Sequence, residues 1–431
     1  MALMAVSEMR RLRAQLNSAR RHVLPEGLRP EDVPVHRVAY IVDSLKHPHE
    51  VESLREIYGP AFMVIAAYSS RPKRVEAMAG RIMTSVHSSA RDAHRAEAEE
   101  LIKIDEDEEG EELGQNVSRA FPLADCFVDV TDRARVQLAL ERFIKLLFSH
   151  PYLTPTRDEF AMFHASSTAH RSADLSRQVG AVIATKEGDI VAVGCNDVPK
   201  ARGGLYWCDD PKDQRDFQKG FDMGARSRQE ILAEIVSKLR DGGWIAPDKA
   251  ALPVRELVDR LLRGDSKSVL QEARVTNLIE FGRAVHAEMA AICDAARRGV
   301  SVEGTTLFST TFPCHLCARH VIASGIDRVV FIEPYSKSRA AELYADSMAI
   351  GDDACDRVHF EPFVGIAPRQ YMNLFRMRGP RKLDSGDTIE WGGTAQQPRF
   401  KRFIASYILV EQKLESSLST IIESAGLCLA R

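Results

Sequence analysis

Apolar runs alternate with amphipathic stretches along the first third of the chain. Residues 38–42 (VAYIV) form a short apolar run closed by Asp43, and residues 62–68 (FMVIAAY) form a second. A helix-like stretch, residues 49–58, lies between them, and the strand pattern recurs at residues 126–130. Strands alternating with helices predict a parallel α/β layer. Thr131 or Asp132 is placed to cap a helix running to about Phe148. Residues 150–156 (HPYLTPT) then read as a linker.

Beyond the linker the pattern predicts a helix from about Arg157 and two strands, residues 179–184 and 190–194, joined by a tight KEGD turn. A long polar insertion occupies residues 197–276, within which Ile231, Ile235 and Leu239 recur at helical spacing, as do Leu257 and Leu261. The domains expected are an N-terminal α/β domain over residues 1–150, a second domain over 157–390 carrying the insertion, and a C-terminal helix over 400–431. On that last helix Leu414, Leu418, Ile421 and Ile422 share one face, which suits core packing and the interface of a homo-oligomer equally. At the other end, Met9, Leu12 and Leu16 give the first 23 residues an apolar face. That segment is Arg-rich and nearly free of acids, as mitochondrial presequences are, but an amphipathic helix is the simpler reading.

The 431 residues are 45% hydrophobic and 28% charged, the composition of an ordinary globular protein of two or three domains. A net charge of −3 argues against a dominant footprint for a long nucleic acid, and no apolar run approaches the roughly 20 residues that span a bilayer. Eight cysteines are too sparse for a disulfide scaffold, so a reducing cytoplasm is the expected location. The acidic run at residues 105–112 reads as a solvated loop.

The sharpest chemical signal is His286-Ala287-Glu288, followed about 25 residues later by Pro313-Cys314-His315-Leu316-Cys317. This H-x-E…P-C-x-x-C pattern is that of the zinc deaminases. Two thiolates and one imidazole hold Zn2+ while leaving one tetrahedral corner open for water. His286 and Cys314 each precede a helical stretch, and free N–H groups at a helix start favour thiolate over thiol. Residues 305–310 read as the strand that joins the two halves. Glu288 is then the proton shuttle rather than a ligand. Weaker readings exist for each half: a lone CxxC serves as a redox pair, and His315 or His320 could complete a purely structural four-ligand site. A structural site has no use for Glu288.

The surrounding residues resemble the deoxycytidylate deaminase family. Residues 177–183 (RQVGAVI), Gly194-Cys195-Asn196, the two zinc motifs and residues 324–330 (SGIDRVV) carry the resemblance, which covers roughly residues 160–342. It implies a three-layer α/β/α cytidine-deaminase-like domain with a mixed central sheet. It also implies that Asn196 bonds the deoxyribose 3′-hydroxyl, that the Ala287 N–H holds the pyrimidine O2, and that Arg177 contacts phosphate. Cys195 departs from the family, which often has an aromatic there, and the insertion before His286 is unusually long. A narrower resemblance, through residues 43–48 (DSLKHP), 333–338 (EPYSKS) and Asp346-Ser347, is to bacterial anti-phage deoxycytidine nucleotide deaminases. These carry a P-loop kinase-like domain ahead of the deaminase and consume dCTP and dCMP. No G-x-x-x-x-G-K-[ST] occurs in this chain, so its first domain corresponds to such a module without the phosphate loop.

Tyr335 and Lys337 follow the strand at residues 328–332, where an aromatic and a cation could meet base and phosphate; a surface loop explains them equally well. The basic cluster Arg376, Arg378, Arg381 and Lys382 suits a solvated face better than a triphosphate site. Tyr206 and Trp207 suit either a lid or loop packing. The expected partner is a deoxycytidine nucleotide, with an RNA or protein inhibitor left open and no membrane. Two rival functions remain at this point: deamination of bases in RNA or single-stranded DNA, and a non-catalytic nucleotide-sensing module with structural zinc.

Overall fold

Two parallel strands, β1 (Ile65–Tyr68) and β2 (Cys126–Asp129), pair from Ile65↔Cys126 to Tyr68↔Asp129 at the centre of the first of two units. The computed structural model describes residues 2–20, 27–87, 92–106, 115–263, 270, 273–335, 337–351, 356–392, 398–399 and 406–424. One unit comprises residues 1–154 with 364–431, and the other residues 155–363.

In the first unit α1 (Ala2–Ala19) and α2 (Pro48–Tyr58) bury Val6, Met9, Leu54 and Ile57 in one cluster. A capping box of His47 and Glu50 starts α2. Residues 38–42 form no strand. Tyr40 and Val42 pack on the α1–α2 cluster while Ile41 is 93% exposed, so helices rather than a neighbouring strand cover this run. The inward face of α1 also differs from expectation. Leu12 and Leu16 are only half-buried, whereas Arg10 and Arg13 are buried and paired with Asp32 and Glu411. Helices α3 (Arg71–Ser85) and α4 (Arg95–Glu106) pack through Val75, Ala79, Ile82, Ala98 and Ile102. Of the acidic run, Asp105 and Glu106 pair with Lys46 and Arg74, and residues 107–112 lie outside the described residues. Asp132 caps α5 (Arg133–Leu147), whose Phe143 and Leu146 cover Cys126 and Val128 of β2.

The second unit opens with α6 (Arg157–Ala169), started by a capping box of Thr156 and Glu159. Its sheet contains β3 (Gly180–Ala184), β4 (Ile190–Cys195), β5 (Thr306–Thr311), β6 (Arg328–Glu333), β7 (Met348–Ile350) and β8 (Val358–Pro362). The order is β4-β3-β5-β6-β8-β7; β3 runs antiparallel to β4 and β5, and the remaining pairs are parallel. It is a mixed sheet. Ala181, Ile183, Leu307 and Val329 on one face pack against Ala287 and Ala291 of α9 (Ala287–Arg298) and Ala318 and Val321 of α10 (His315–Ala323). Gly180, adjacent to Ala181 and so on the opposite face, abuts Ala165 and Ala169 of α6. Helices therefore cover both faces.

The insertion contributes α7 (Met223–Asp241) and α8 (Val254–Arg263), packed through Leu232, Val236, Leu257 and Val258. The buried row on α7 is thus 232/236, and Ile235 and Leu239 are exposed, because α8 lies one residue round from the face the spacing predicts.

The chain re-enters the first unit at residue 364, earlier than the expected boundary of 390. Strand β9 (Gly365–Ile366) pairs antiparallel with β2, and the Ala367 N–H donates to the Asp125 carbonyl. Helices α11 (Pro368–Phe375) and α12 (Ser406–Ser424) follow. Leu414 of α12 joins the α1–α2 cluster; the side chains of Ile421 and Ile422 lie outside the described residues. Arg376, Arg378, Arg381 and Lys382 are exposed on this unit. No helix among the described residues is long and apolar enough to cross a membrane.

Candidate active site

Both halves of the Cys/His signature sit at helix starts. His286 is the N-cap of α9 and Cys314 the N-cap of α10, with Cys317 in that helix's first turn. The entry to His286 is fixed by a two-way backbone bridge, Asp197 N–H to Val285 O (3.2 Å) and Val285 N–H to Asp197 O (2.9 Å). Buried Arg215 pairs with the Asp197 carboxylate at 3.5 Å. Cys314 is delivered by β5, whose last residue pairs with Glu333.

His286 Nδ1 lies 3.2 Å from Cys314 Sγ and 3.4 Å from Cys317 Sγ. Tetrahedral zinc with ordinary Zn–S and Zn–N bonds needs an N···S edge of about 3.5 Å. The donor set thus fits zinc in both chemistry and spacing. Among the described residues these three are the group able to hold a metal ion, with all ligand atoms within 4.8 Å of one another. His315 and His320 do not join them. The former lies 3.9 Å from Glu280, and the latter's Nδ1 meets the Leu316 carbonyl at 2.7 Å. Among the described residues the protein therefore offers three ligands.

A hydrogen bond from Cys317, opposed by burial and reinforced by His286, holds the Cys314 thiol down at about 4. The same bond and burial push Cys317 up. The bond to Cys314 raises His286 to about 9 against its burial. Glu288, one residue into α9, is 4% exposed, and burial pushes its carboxyl above the usual range, with the Cys314 charge adding to the effect.

The other residues singled out from the sequence fall into two places. Ala287 is buried in the first turn of α9, where backbone N–H groups have no partner within the helix. Asn196 is 7% exposed; its Oδ1 accepts the Val179 N–H (2.7 Å) and its Nδ2 donates to the Arg177 carbonyl (2.8 Å). Arg177 Nη2 donates to Glu333 Oε1 at 2.5 Å, and its guanidinium lies 5.8 Å from the Tyr335 ring centre. Lys337 Nζ donates to Asn277 Oδ1 at the end of the insertion (2.8 Å). Trp207 is covered by the Arg171 guanidinium at 3.5 Å, and Cys208 is exposed without joining a metal-binding group among the described residues. Cys195 is fully buried with Leu205 and Ala290, and burial raises its thiol to about 11, so it serves packing.

Sequence reasoning passed over Asp174, Asp197, Arg215 and Glu333. Asp174 Oδ1 accepts the Ser176 N–H at 2.9 Å, and its charge reaches His286. An Asp two residues ahead of a serine is a turn signal that could have marked it; the other three depend on distant partners. A cavity of about 370 Å3 opens elsewhere, at the end of the sheet where β5 and β6 begin. Arg328 there pairs with Asp158 and Glu361 and Lys186 with Asp327, while Arg157 Nε donates to the Glu187 carbonyl at 2.9 Å.

Residues 155–333 match the cytidine and deoxycytidylate deaminase zinc-binding region. The deoxycytidylate deaminase of Enterobacteria phage T4 is 46% identical over 55 residues, 13% of this chain and 28% of the phage protein. ComE operon protein 2 of Bacillus subtilis is 38% identical over 63 residues, 14% of this chain and 33% of that protein. The chain thus spans about a third or less of the length of these relatives. The dCMP deaminase of cyanophage S-TIM5, solved with dCMP and dUMP, aligns over 49% of this chain and 100% of its own at 17% identity and a TM-score of 0.27.

Proposed function

We propose that the second unit is a zinc-dependent hydrolase that converts deoxycytidine nucleotides, dCMP or dCTP or both, to deoxyuridine nucleotides and ammonia. The observation that carries this reading is Glu288, a buried carboxyl with a raised pKa beside a three-ligand metal group. Bound by His286, Cys314 and Cys317, zinc would supply a water whose pKa falls to about 7. Glu288 would accept a proton from the water that bonds C4 of the pyrimidine. The same carboxyl would pass that proton to N3, take the second proton from the oxygen now on C4 and hand it to the departing amine, so that the C4–N bond breaks as the C4 carbonyl forms and neutral ammonia leaves. The Ala287 N–H holds O2, Asn196 lies at the sugar, and Arg177 meets the phosphate. Tyr335 and Lys337 border the mouth.

In the cell this activity would lower the dCTP pool available to an infecting phage. The first unit, kinase-like but without a phosphate loop, is the natural place for restraint of the activity. The test is ammonia release and product identity from zinc-loaded protein offered dCTP, dCMP, CTP and single-stranded DNA separately, with Glu288→Ala as control. Conversion of dCMP or dCTP that the variant lacks supports the reading. Turnover of DNA alone would replace it with the polynucleotide alternative, and silence on all four means either a required activator or a zinc fold kept for binding alone.

A further inference from the structure

We infer that Glu333 is a positioning residue for the substrate phosphate, holding the Arg177 guanidinium against Tyr335 in the pose that receives it. This rests on the deaminase reading of the same site.

Arg177 is fixed at both ends. Its carbonyl accepts from Asn196 Nδ2 at 2.8 Å, its Nη2 bonds Glu333 at 2.5 Å, and its guanidinium lies 5.8 Å from the Tyr335 ring centre. Glu333 is itself immobilised. It ends β6 in register with Thr311, its carbonyl accepts the Phe312 N–H at 2.8 Å, and its Oε2 accepts from Thr311 Oγ1 at 3.3 Å. Thr311 and Phe312 lead directly into Pro313-Cys314. The carboxylate that aims Arg177 is therefore registered to the strand that delivers a metal ligand.

Tyr335 makes the same link from the other side. Its ring packs against the core cluster that contains Ala287 and Ala318, and its centre lies 5.8 Å from the Arg177 guanidinium. Ser338 Oγ donates to the Pro313 carbonyl at 2.8 Å, which ties the segment after Tyr335 to the turn before Cys314.

The side chains of Arg177 and Glu333 are 40% and 39% exposed, so as a stability contact the pair is worth little. Its value is geometric. A guanidinium presents five N–H donors in a rigid fork, and a carboxylate on one nitrogen leaves the other donors for an oxyanion. A surface arginine without that brace would have to give up rotamer freedom each time a phosphate arrived.

The test compares wild type, Glu333→Ala and Glu333→Gln as full-length, zinc-loaded proteins. Glu333→Ala raises KM for dCMP about tenfold, the size of one charge-assisted contact, with kcat within about twofold. Glu333→Gln, which keeps an acceptor for Arg177, recovers most of that loss. Kinetics on unphosphorylated deoxycytidine stay unchanged in both. An unchanged or lowered KM for dCMP in Glu333→Ala, or an equal loss on deoxycytidine, overturns the inference. Calorimetric binding of dUMP against deoxyuridine separates this failure from failure of the deaminase reading. Absence of ammonia from both dCMP and dCTP with wild type sinks the reading, whereas a dUMP preference that Glu333→Ala leaves intact sinks only the role of Glu333.

Discussion

Gly194 of β4 approaches Ala287 of α9 so closely that a Cβ on the glycine would stand 2.3 Å from the Ala287 carbonyl oxygen and 2.4 Å from the Ala291 nitrogen. Both are backbone atoms of the helix whose N-cap is His286, so the contact sets the height of a metal ligand above the sheet. Gly194→Ala must displace α9. The expected cost is about 3 kcal/mol of stability, at the upper end for overpacking a core. Zinc affinity falls with it, read by thermal unfolding and competition with a chelating dye.

Glu288→Gln preserves the size of the buried group and removes its proton traffic. Turnover drops by about a hundredfold or more, the range for losing a general acid–base. Zinc content stays at one per chain by atomic absorption. A variant within a few-fold of wild type would remove Glu288 from the mechanism.

Removing zinc tests the other half of the site. Dialysis against a strong chelator abolishes turnover, and one equivalent of Zn2+ restores it. Cys317→Ser, which replaces a sulfur 3.4 Å from His286 Nδ1, lowers retention of the metal through gel filtration.

The buried charges of the first unit predict a pH dependence. Burial pushes the Asp32 carboxyl up, but Arg29, Gln412 and Arg10 outweigh it and hold it below its ordinary value. The folded chain then binds this proton less readily than the unfolded chain. The contribution of Asp32 is fully present above the unfolded value of about 3.9 and fades as pH falls through the lower folded value. Asp32→Asn is less stable than wild type at pH 7, by about 3 kcal/mol for a broken buried pair, and the gap narrows below about pH 4. Denaturant midpoints at pH 7, 5 and 3 measure it.

The cluster of His286, Cys314 and Cys317 and the place of Glu288 beside it were legible because their spacing is local. Glu288 lies two residues after His286 at the start of one helix, and Cys317 lies three after Cys314 at the start of another. The strands flanking them were legible for the same reason, as alternating apolar runs. Arg10 and Arg13 were not, because an arginine on a helix reads as solvated until its partner is known. For Arg13 that partner, Glu411, lies 398 residues away. Glu333 was missed likewise: the register of β5 and β6 and a loop 156 residues upstream place it beside Arg177. Periodicity also left the azimuth of α7 open, since Ile231/Ile235 and Leu232/Val236 are neighbouring rows and only the packing of α8 chooses between them.

The return of the chain at residue 364 has a consequence for the order of events during synthesis. Residues 155–363 are contiguous, so the second unit can close around its metal as soon as they have left the ribosome. The first unit cannot. Arg13 needs Glu411, and β2 needs β9. At about 5–20 residues per second, the stretch from 364 to 411 takes several seconds to make. During that interval each nascent molecule has residues 155–363 complete and its N-terminal segment unfinished, so the first unit closes only after residue 411 has been made.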